Sequence, residues 1–467
     1  MRFYSLATTV LVVLPALFLP ALFLPGAAVA AEAKGASDPA PATASVDPKT
    51  GTITVETPEQ AKALGLQAAQ RLIQEKKYPE ALSVLAQLDQ AFPADSQIEF
   101  LVGMVAMAQG DYRAAQAKFR RILVREPKAT RVRLELARTY YLEGDDANAK
   151  FHFRLALSGD LPPTVVRNIE TYLQAIRRRR LWDFGMSFGV APDTNINTAP
   201  TLRDITIFGL PFELNEDAQA QSGIGFYVGA NGEYRQPVND WLQGRIGARF
   251  TRNEYEGGDF DDMTLSSFAG PRILIGEWDV SVLATGYRRW YGNEPYSDAG
   301  GGRLEAERQF TPRLNLQGSF QGLYVNYHDN ESQDGKLWSL SFSGTYGLTP
   351  NSFARALVFG SLEDTKLATT SNQSVGAGIG YYRELPFGFS IYAQPQAIYT
   401  WYDAATAAFG VKREEWLAQV RLNLLNRKLD LGGFTPTIGY VYQWQRSNID
   451  LYNFNRNRVE IGFTRQF

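Results

Sequence analysis

The sequence lacks cysteine altogether and has only two histidines, His152 and His328, in 467 residues. Disulfides, thiolate metal sites and cysteine nucleophiles are therefore excluded, and a metal site built from several histidines is disfavoured. An excess of positive charge is also missing, because 47 basic residues are balanced by 49 acidic ones. Nucleic-acid-binding proteins normally carry a basic excess. We therefore predict no cofactor and no nucleic-acid partner.

Beyond residue 30, no stretch approaches the ~20 apolar residues that a membrane-spanning helix needs, so any membrane insertion must use strands. The first 30 residues have a pattern of their own. Arg2 precedes an apolar run over residues 6–23, which is followed by small residues at 28–30. This pattern is typical of a secretory signal peptide cleaved after Ala30. Two prolines within the run disfavour the alternative, an N-terminal membrane anchor.

Residues 31–56 are rich in Ala, Pro, Ser and Thr and lack apolar periodicity, which predicts a flexible leader. Residues 57–179 are predicted to be helical, starting with a capping box of Thr57 and Gln60. Small residues then recur 34 positions apart in two series, which are Ala69, Gly103 and Ala137, and Ala81, Ala115 and Ala149. A period of this length resembles tetratricopeptide (TPR) repeats. We predict an N-terminal TPR α-solenoid of three repeats plus a capping helix.

Four arginines at residues 177–180 mark the end of the helical pattern. Two interpretations of this run remain open. One is a basic collar at the periplasmic surface of a membrane. The other is a solvated helix end, where positive charge suits the helix dipole.

From residue 180 to residue 467, apolar and polar residues alternate with a period of two, as in strands with one apolar face. Leu242, Ile246 and Phe250, for example, alternate with Arg245 and Arg249. The segments run for about 10–14 residues, the length of a tilted membrane strand, whereas strands of soluble proteins average about 5–6 residues. We therefore predict an antiparallel transmembrane β-barrel with a polar lumen.

The connections between these segments alternate between short turns and longer polar loops, one of them expected at residues 292–299. Short turns at one end and long loops at the other are typical of outer-membrane barrels. Counting the segments predicts 14 strands, an even number that closes the barrel antiparallel with both ends in the periplasm. Val459, Ile461, Phe463 and Phe467 follow a two-residue period, interrupted by Arg465, at the end of the sequence. An alternating strand with a terminal Phe resembles the signal read by the barrel-insertion machinery.

Three short motifs match catalytic patterns without the structural context that catalysis needs. Residues 185–189 read Gly-x-Ser-x-Gly, but their flanks continue as a strand. Residues 376–380 contain three alternating glycines without the helix of a dinucleotide site. Arg303, Glu305 and Glu307 alternate on one strand, and a lumenal charge ladder explains them better than a catalytic carboxylate pair. No enzymatic activity is predicted.

The order of signal peptide, about three TPR repeats and 14-stranded barrel resembles the surface lipoprotein assembly modulator (Slam) family. At the junction, residues 181–185 (Leu-Trp-Asp-Phe-Gly) lead into residues 191–197 (Ala-Pro-Asp-Thr-Asn-Ile-Asn). A first strand that follows arginine and runs into Asp-x-Asn-x-Asn is similar to the opening of that family's barrel domain. The matching positions, called the entry motif below, are Trp182, Asp193, Asn195 and Asn197.

The resemblance implies a protein of the outer membrane, with its TPR domain in the periplasm, that translocates a specific client to the cell surface. The client would be a surface lipoprotein or a small secreted protein, docked by the TPR domain directly or through a periplasmic chaperone. The implied partners are outer-membrane lipid, the client and the barrel-insertion machinery. Two alternatives remain open, which are a porin-like solute channel and a barrel for polysaccharide export.

Two sets of side chains are candidates for contact with a client. The repeat register predicts a concave TPR groove containing Gln70, Phe100, Met104, Met107, Arg131, Arg138 and Tyr141. Met and aromatic side chains suit adaptable binding, although the same residues also suit the core between repeats.

The strand alternation predicts lumenal charges at Arg245, Arg249, Arg303, Glu305, Glu307 and Arg421. These charges either face a passing polypeptide or solute, or form a network that fills a closed pore. For Asn195 and Asn197, shaping the long first loop is favoured over ligand binding.

Overall fold

The computed structural model describes residues 45–46, 53–54, 57–429 and 431–466. The predicted signal peptide, most of the predicted leader and Phe467 lie outside these residues. Within the leader, β1 (Ser45–Val46) pairs antiparallel with β2 (Ile53–Thr54). The remaining chain divides between Arg179 and Arg180 into a helical unit and a barrel unit.

Within the described residues the helical unit contains seven α-helices, in agreement with the predicted TPR α-solenoid. The helices are α1 (Pro58–Gln74), α2 (Tyr78–Ala91), α3 (Ser96–Ala108), α4 (Tyr112–Arg125), α5 (Thr130–Glu143), α6 (Asp146–Ala156) and α7 (Pro163–Arg179). The capping box is present at the start of α1, where Gln60 N donates to Thr57 Oγ1 and Thr57 N donates to Gln60 Oε1, both at 3.2 Å. It satisfies backbone donors that no helical partner reaches.

The small residues spaced 34 apart lie in the packed interior of the helical unit. The buried alanines of this set are Ala69, Ala81, Ala115, Ala137 and Ala149. A Cβ atom at Gly103 would lie 2.7 Å from Cε1 of Phe119, so α3 and α4 can pack this tightly only around glycine. Phe119 and Leu136 then join Phe153 and Ile176 in one buried core that runs through the last helices of the unit.

The barrel unit contains fourteen strands in one closed, antiparallel sheet, as predicted. These are β3 (Trp182–Asp193), β6 (Gly223–Pro237), β7 (Leu242–Glu254), β8 (Asp262–Ile275), β9 (Trp278–Tyr291), β10 (Glu294–Thr311), β11 (Leu314–Tyr327), β12 (Gly335–Thr349), β13 (Ser352–Thr365), β14 (Asn372–Glu384), β15 (Phe389–Ala405), β16 (Lys412–Asn426), β17 (Thr435–Ser447) and β18 (Phe454–Gln466). A separate hairpin, β4 (Asp204–Ile207) and β5 (Leu210–Glu213), lies in the loop between β3 and β6.

Apolar side chains cover the outside of the barrel. Val282, Leu304, Phe320 and Leu340 pair in register across β9 to β12, and all four side chains are exposed. An exposed row of this kind is stable only in an apolar solvent, because on a soluble protein it would form a large hydrophobic patch. The alternation in the sequence therefore places the apolar face toward lipid and the polar face toward the lumen.

The two ends of the barrel differ in their connections. The end at which β3 begins carries mostly short connections and is called the turn end below; the opposite end is called the loop end. The expected loop at residues 292–299 is wrong, because only Gly292 and Asn293 separate β9 from β10. Both have positive φ angles, +59° and +67°, as a tight hairpin turn requires. The polar residues that follow belong to β10, where Asp298 pairs with Arg288.

No helix among the described residues is long and apolar enough to cross a membrane.

Candidate functional site

A network of charged side chains covers one wall of the barrel lumen, on β6 to β10. Arg245 lies at its centre, with Nε 2.8 Å from Oε1 of Glu233 and Nη1 2.8 Å from Oε2 of Glu305. Arg303 Nε lies 3.0 Å from the other carboxylate oxygen of Glu305. The ring of Phe268 lies 5.2 Å from the Arg245 guanidinium and 5.1 Å from that of Arg303. Arg245, Arg303 and Glu305, predicted from sequence as lumenal charges, are thus brought together.

The network extends toward the turn end through residues that the sequence analysis did not identify. Arg235 Nε lies 2.6 Å from Glu233 Oε1, and Arg235 Nη2 lies 3.7 Å from Oδ2 of Asp183. Asp183 is also 3.2 Å from Nη2 of Arg180, the residue that opens the barrel unit. Glu233 and Arg235 alternate on β6 in the same two-residue period as Arg303 and Glu305, so that period was the signal that could have found them.

The other predicted lumenal residues lie at further positions of the lumenal face. Arg249 is four residues beyond Arg245 on the same face of β7. Glu307 Oε1 accepts a hydrogen bond from Asn315 Nδ2 at 3.0 Å. Arg421 lies on β16, with Nη1 3.9 Å from Oε2 of Glu460, and its side chain is 43% exposed. Its long ion pair therefore leaves Arg421 accessible to a molecule in the lumen.

The wall formed by β13 to β16 carries an inward-facing apolar row that the sequence analysis missed. Phe359, Ile398 and Leu417 lie in one register line, with Gly376 between the first two. A Cβ atom at Gly376 would lie 2.4 Å from Cζ of Phe359, so the aromatic ring passes over this glycine. The alternating glycines of residues 376–380 therefore make space for side chains from neighbouring strands. Inward apolar side chains are the exception in a barrel lumen. Apolar residues on the otherwise polar face of these strands were therefore the signal in the sequence that could have revealed the row.

The Asp of the entry motif joins the first and last barrel strands. Asp193 is buried, and its Oδ2 accepts hydrogen bonds from Nη2 of Arg456 at 2.6 Å and from Nε at 2.9 Å. The hydroxyl of Tyr255 lies 3.4 Å from the same carboxylate, and Arg458 Nη1 donates to that hydroxyl at 3.2 Å. The carboxylate is thus compensated by charge-assisted hydrogen bonds, which are among the stronger hydrogen bonds of proteins.

The two asparagines of the entry motif hold the long first loop. Asn195 Oδ1 accepts from Ala199 N at 3.0 Å, and its Nδ2 donates to the carbonyls of Ala199 and Asn455. Asn197 Nδ2 donates to Gln219 O at 2.8 Å, and its Oδ1 accepts from Gln221 N at 3.1 Å. Both side chains are buried and use their amide groups on backbone atoms of the protein. This geometry fits the loop-shaping interpretation.

Aromatic side chains lie on the outer surface near the turn end. Trp182, the first residue of β3, is 67% exposed, and its ring centroid lies 4.4 Å from that of Tyr234. Phe463 packs on Phe188 with ring centroids 5.7 Å apart, and Phe434 lies 5.6 Å from Phe188. Aromatic rings at the edge of the apolar band are typical of outer-membrane barrels.

The predicted groove residues of the helical unit divide into two groups. Met107 and Tyr141 are buried in the helical core, so they belong to the core between repeats and not to an exposed groove. Phe100 and Met104 are partly buried against that core. The guanidinium of Arg131, which is exposed, lies 5.1 Å from the ring of Phe100. Gln70, on α1, is exposed, and Arg138 is partly exposed on α5. These five residues remain predicted contacts for a partner.

The pKa values of Glu135 and Asp95 in the helical unit are shifted in opposite directions. Burial raises the pKa of Glu135, against the effect of Arg138, whose Nη1 lies 3.7 Å from Oε2, and of Arg131. Burial alone would also raise the pKa of Asp95, but the hydrogen bonds from Lys62 Nζ and two backbone N–H groups outweigh it and lower that pKa. The Arg131–Glu135–Arg138 arrangement therefore presents positive charge around a carboxyl that is costly to ionise.

Arg179 and Arg180, at the end of the four-arginine run, have partners within their own units. Arg179 Nη2 donates to Tyr141 O at 3.1 Å and lies 3.4 Å from Oδ1 of Asp146. Arg180 pairs with Asp183 in the barrel unit, as described above. The basic-collar and helix-end interpretations of the four-arginine run both stay predictions. In the described residues, no group of three or more acidic or histidine side chains is arranged to hold a metal ion.

Comparison with known families identifies the barrel unit. The family model described as "Surface lipoprotein assembly modifier" matches residues 182–467, more than half of the chain. The chain belongs to this family. A tetratricopeptide-repeat model matches residues 106–158 within the helical unit. The family resemblance predicted from the entry motif and the domain order is confirmed, and the protein is a β-barrel of the outer membrane.

Relatives in this family align with most of the chain at low identity. The surface lipoprotein assembly modifier of Moraxella catarrhalis is 25% identical over 403 residues, covering 81% of this chain and 75% of the relative. Surface lipoprotein assembly modifier 1 of Neisseria meningitidis is 25% identical, with 78% and 75% covered. The hemophilin secretion modulator of Acinetobacter baumannii is 22% identical, with 79% and 78% covered. The shared region therefore includes helices as well as barrel.

Proposed function

We propose that this protein translocates a specific client, a surface lipoprotein or a small secreted protein, across the outer membrane. In this proposal the barrel is the conduit, and the helical unit binds the client or its chaperone in the periplasm. The names of its relatives, which refer to surface lipoprotein assembly and to hemophilin secretion, support this client class. The helices precede β3, which begins at the turn end, the end that faces the periplasm in outer-membrane barrels.

The observation that carries the proposal is the mixed lining of the lumen. The charged network of Arg245, Glu233 and Glu305 lies on β6 to β10, and the apolar row of Phe359, Ile398 and Leu417 lies on β13 to β16. A channel for small hydrated solutes has a polar lumen. A polypeptide carries both charged and apolar side chains, so a lumen that presents both kinds of surface matches it better.

The helical unit adds a second line of support. Its candidate groove combines the exposed cation of Arg131, the aromatic ring of Phe100 and the flexible thioether of Met104. Met and aromatic side chains adapt to different partner surfaces, and stacked Arg adds attraction for acidic segments. A porin-like channel has no use for such a surface.

The test is co-expression of this protein with a lipoprotein encoded beside it, scored by digestion of intact cells with protease. Expression of the full chain should make the lipoprotein protease-sensitive. Deletion of residues 57–176 should abolish this sensitivity if the helices dock the client, while folding of the barrel is checked by its heat-dependent gel mobility. Solute-selective conductance in planar bilayers together with an unchanged client would instead favour the porin-like channel.

A pair of substitutions tests the groove without deleting it. Arg131→Glu with Arg138→Glu reverses the charge of the groove and should reduce surface display of the client. Arg71→Glu with Lys77→Glu makes the same charge change at exposed positions outside the predicted groove, both of which pair with Glu75. Equal display by both variants would remove the groove from the proposal.

A further inference from the structure

The interface between β3 and β18, called the seam below, is the weakest ladder bordering either strand. It pairs residues from Gly185 with Gln466 up to Val190 with Ile461, and then only Asp193 with Arg458. On their other sides, the same strands pair without interruption, β3 with β6 and β18 with β17. The seam therefore has fewer backbone hydrogen bonds holding it closed.

Two residues of β3, Ala191 and Pro192, interrupt the ladder, and this interruption is called the gap below. Ala191 and Pro192 lie opposite Val459 and Glu460 without pairing in this ladder. Proline has no backbone N–H to donate, and its ring restricts the backbone of its neighbours. The gap lies near the end of β3, close to the loop end of the barrel.

Topology also singles out this interface. β3 and β18 are the first and last strands of the closed sheet, and they are neighbours without any turn or loop between them. Separating two strands of a hairpin must strain or unfold the connection that joins them. Separating β3 from β18 costs only the contacts across the seam.

Above the gap, the seam is held by a group of contacts called the latch. Asp193 pairs with Arg456, Thr194 N donates to Asn457 O at 3.0 Å, and Asn457 N donates to Thr194 Oγ1 at 2.9 Å. Asn195 Nδ2 adds a bond to Asn455 O at 3.2 Å. The seam is thus held by the latch at the loop end and by the ladder from Gly185 to Val190 at the turn end, and it is interrupted between them at Ala191 and Pro192.

The lipid side of the seam is apolar, whereas the lumen beside it is charged. Phe188 and Phe463 pack across the seam on the outer surface, and Ile461 is exposed beside them. Glu460 lies on the lumenal face of β18, within 3.1 Å of Arg458. An acyl chain that entered the lumen would have to displace paired charges, while at the seam it stays in an apolar environment.

We propose that the β3–β18 seam is the site through which the acyl chains of a lipoprotein client move to the outer leaflet while its polypeptide passes through the lumen. This inference rests on the proposed function and adds the route of the lipid anchor. The seam opens from the turn end up to the gap at Pro192, and the latch keeps the strands in register above it.

The absence of cysteine from the sequence makes a direct test possible. Ser187→Cys with Thr464→Cys places a pair of thiols at paired positions across the seam. Ser319→Cys with Ser341→Cys places a matched pair across β11 and β12, also on the lumenal face and at a similar height above the turn end. Oxidation in cells then locks one interface, and a reductant unlocks the same molecules, so folding defects are separated from locking.

The readout is surface display of a lipoprotein that passes the protease test above, in an acylated form and in a form exported without acylation. Locking the seam should lower display of the acylated form at least tenfold, spare the unacylated form, and leave both unaffected when the β11–β12 pair is locked. Reduction should restore display.

Equal display of the acylated form with the seam locked and unlocked would overturn the proposal. Equal loss of both forms would also overturn it, because the seam would then serve the barrel and not the lipid anchor. Failure of the reduced protein to display either form would count against the proposed function itself, and so is distinguishable from failure of the seam.

Discussion

Asp193 and Arg456 lie 263 positions apart in the chain and form a two-point ion pair, with Oδ2 of Asp193 2.6 Å from Nη2 and 2.9 Å from Nε of Arg456. The pair connects the end of the first barrel strand to the last strand. Because the Asp193 side chain is fully buried, its charge needs this partner for compensation. When the first and last strands meet to close the barrel, the buried carboxylate of Asp193 therefore reaches the guanidinium of Arg456.

Asp193→Ala should lower the free energy of unfolding of the barrel by about 3 kcal/mol, because removing one member of a buried pair leaves the other without its counter-charge. Urea unfolding in lipid vesicles, followed by tryptophan fluorescence, measures this loss. Arg288→Ala is the control, since the Arg288–Asp298 pair has side chains that are 50% and 32% exposed. Exposed pairs contribute about 1 kcal/mol or less, so equal losses in both variants would contradict the assigned role of Asp193.

Asp95→Ala should destabilise the helical unit by about 1 kcal/mol, the usual cost of losing an N-cap. Asp95 Oδ1 accepts hydrogen bonds from Gln97 N at 2.9 Å and Ile98 N at 3.2 Å at the start of α3. Thermal unfolding of the full chain in detergent, followed by helical circular dichroism, gives the measurement. Asp95→Asn retains the cap and loses the ion pair with Lys62, so its stability should fall between those of wild type and Asp95→Ala.

The effect of Asp95→Ala should depend on pH in a defined direction. Burial raises the pKa of Asp95, but Lys62 and the two backbone donors outweigh burial and lower it below 3.8. A lowered pKa means that the stabilisation is present above the unfolded pKa and is lost as the pH falls through the folded value. The difference between wild type and Asp95→Ala should therefore shrink below about pH 4. A difference that grew on acidification would contradict the assigned interactions.

Glu135→Gln should stabilise the helical unit near neutral pH. Burial is the main cause of the raised pKa of Glu135, so the folded state binds a proton more tightly than the unfolded state does. Wild-type stability therefore falls as the pH rises from below the unfolded pKa through the folded pKa, and the glutamine variant lacks this loss. Melting temperatures of both proteins at pH 4 and pH 7 should diverge at pH 7. A lower melting temperature for the variant at pH 7 would show that the contacts with Arg138 and Arg131 outweigh burial.

Gly103→Val should destabilise the helical unit by about 2 kcal/mol through overpacking, because any Cβ at this position approaches Phe119. Combining it with Phe119→Leu should recover part of the loss by creating room. A double-mutant cycle from urea unfolding measures the coupling between the two positions. Additive losses would mean that α3 moves away from α4 instead of pressing on the ring.

Much of the fold followed from local sequence periodicity. A spacing of 34 predicted the helix pairs, and a spacing of two predicted the barrel strands and the lumenal face of Arg245 and Arg303. Local patterns failed where polar residues belonged to a strand, as at residues 292–299. They also missed the apolar row at Phe359 and Ile398, because its members lie on different strands and meet only when the register is set.

By itself, the sequence determined the two kinds of element, their order and the side of each strand that meets lipid, because these depend on periods of a few residues. The tertiary structure alone decided which charges pair across the lumen, that Met107 and Tyr141 belong to the core, and that the Asp of the entry motif binds Arg456. These contacts join residues far apart in the chain. Their distances are set by strand register and barrel closure, which no local pattern encodes.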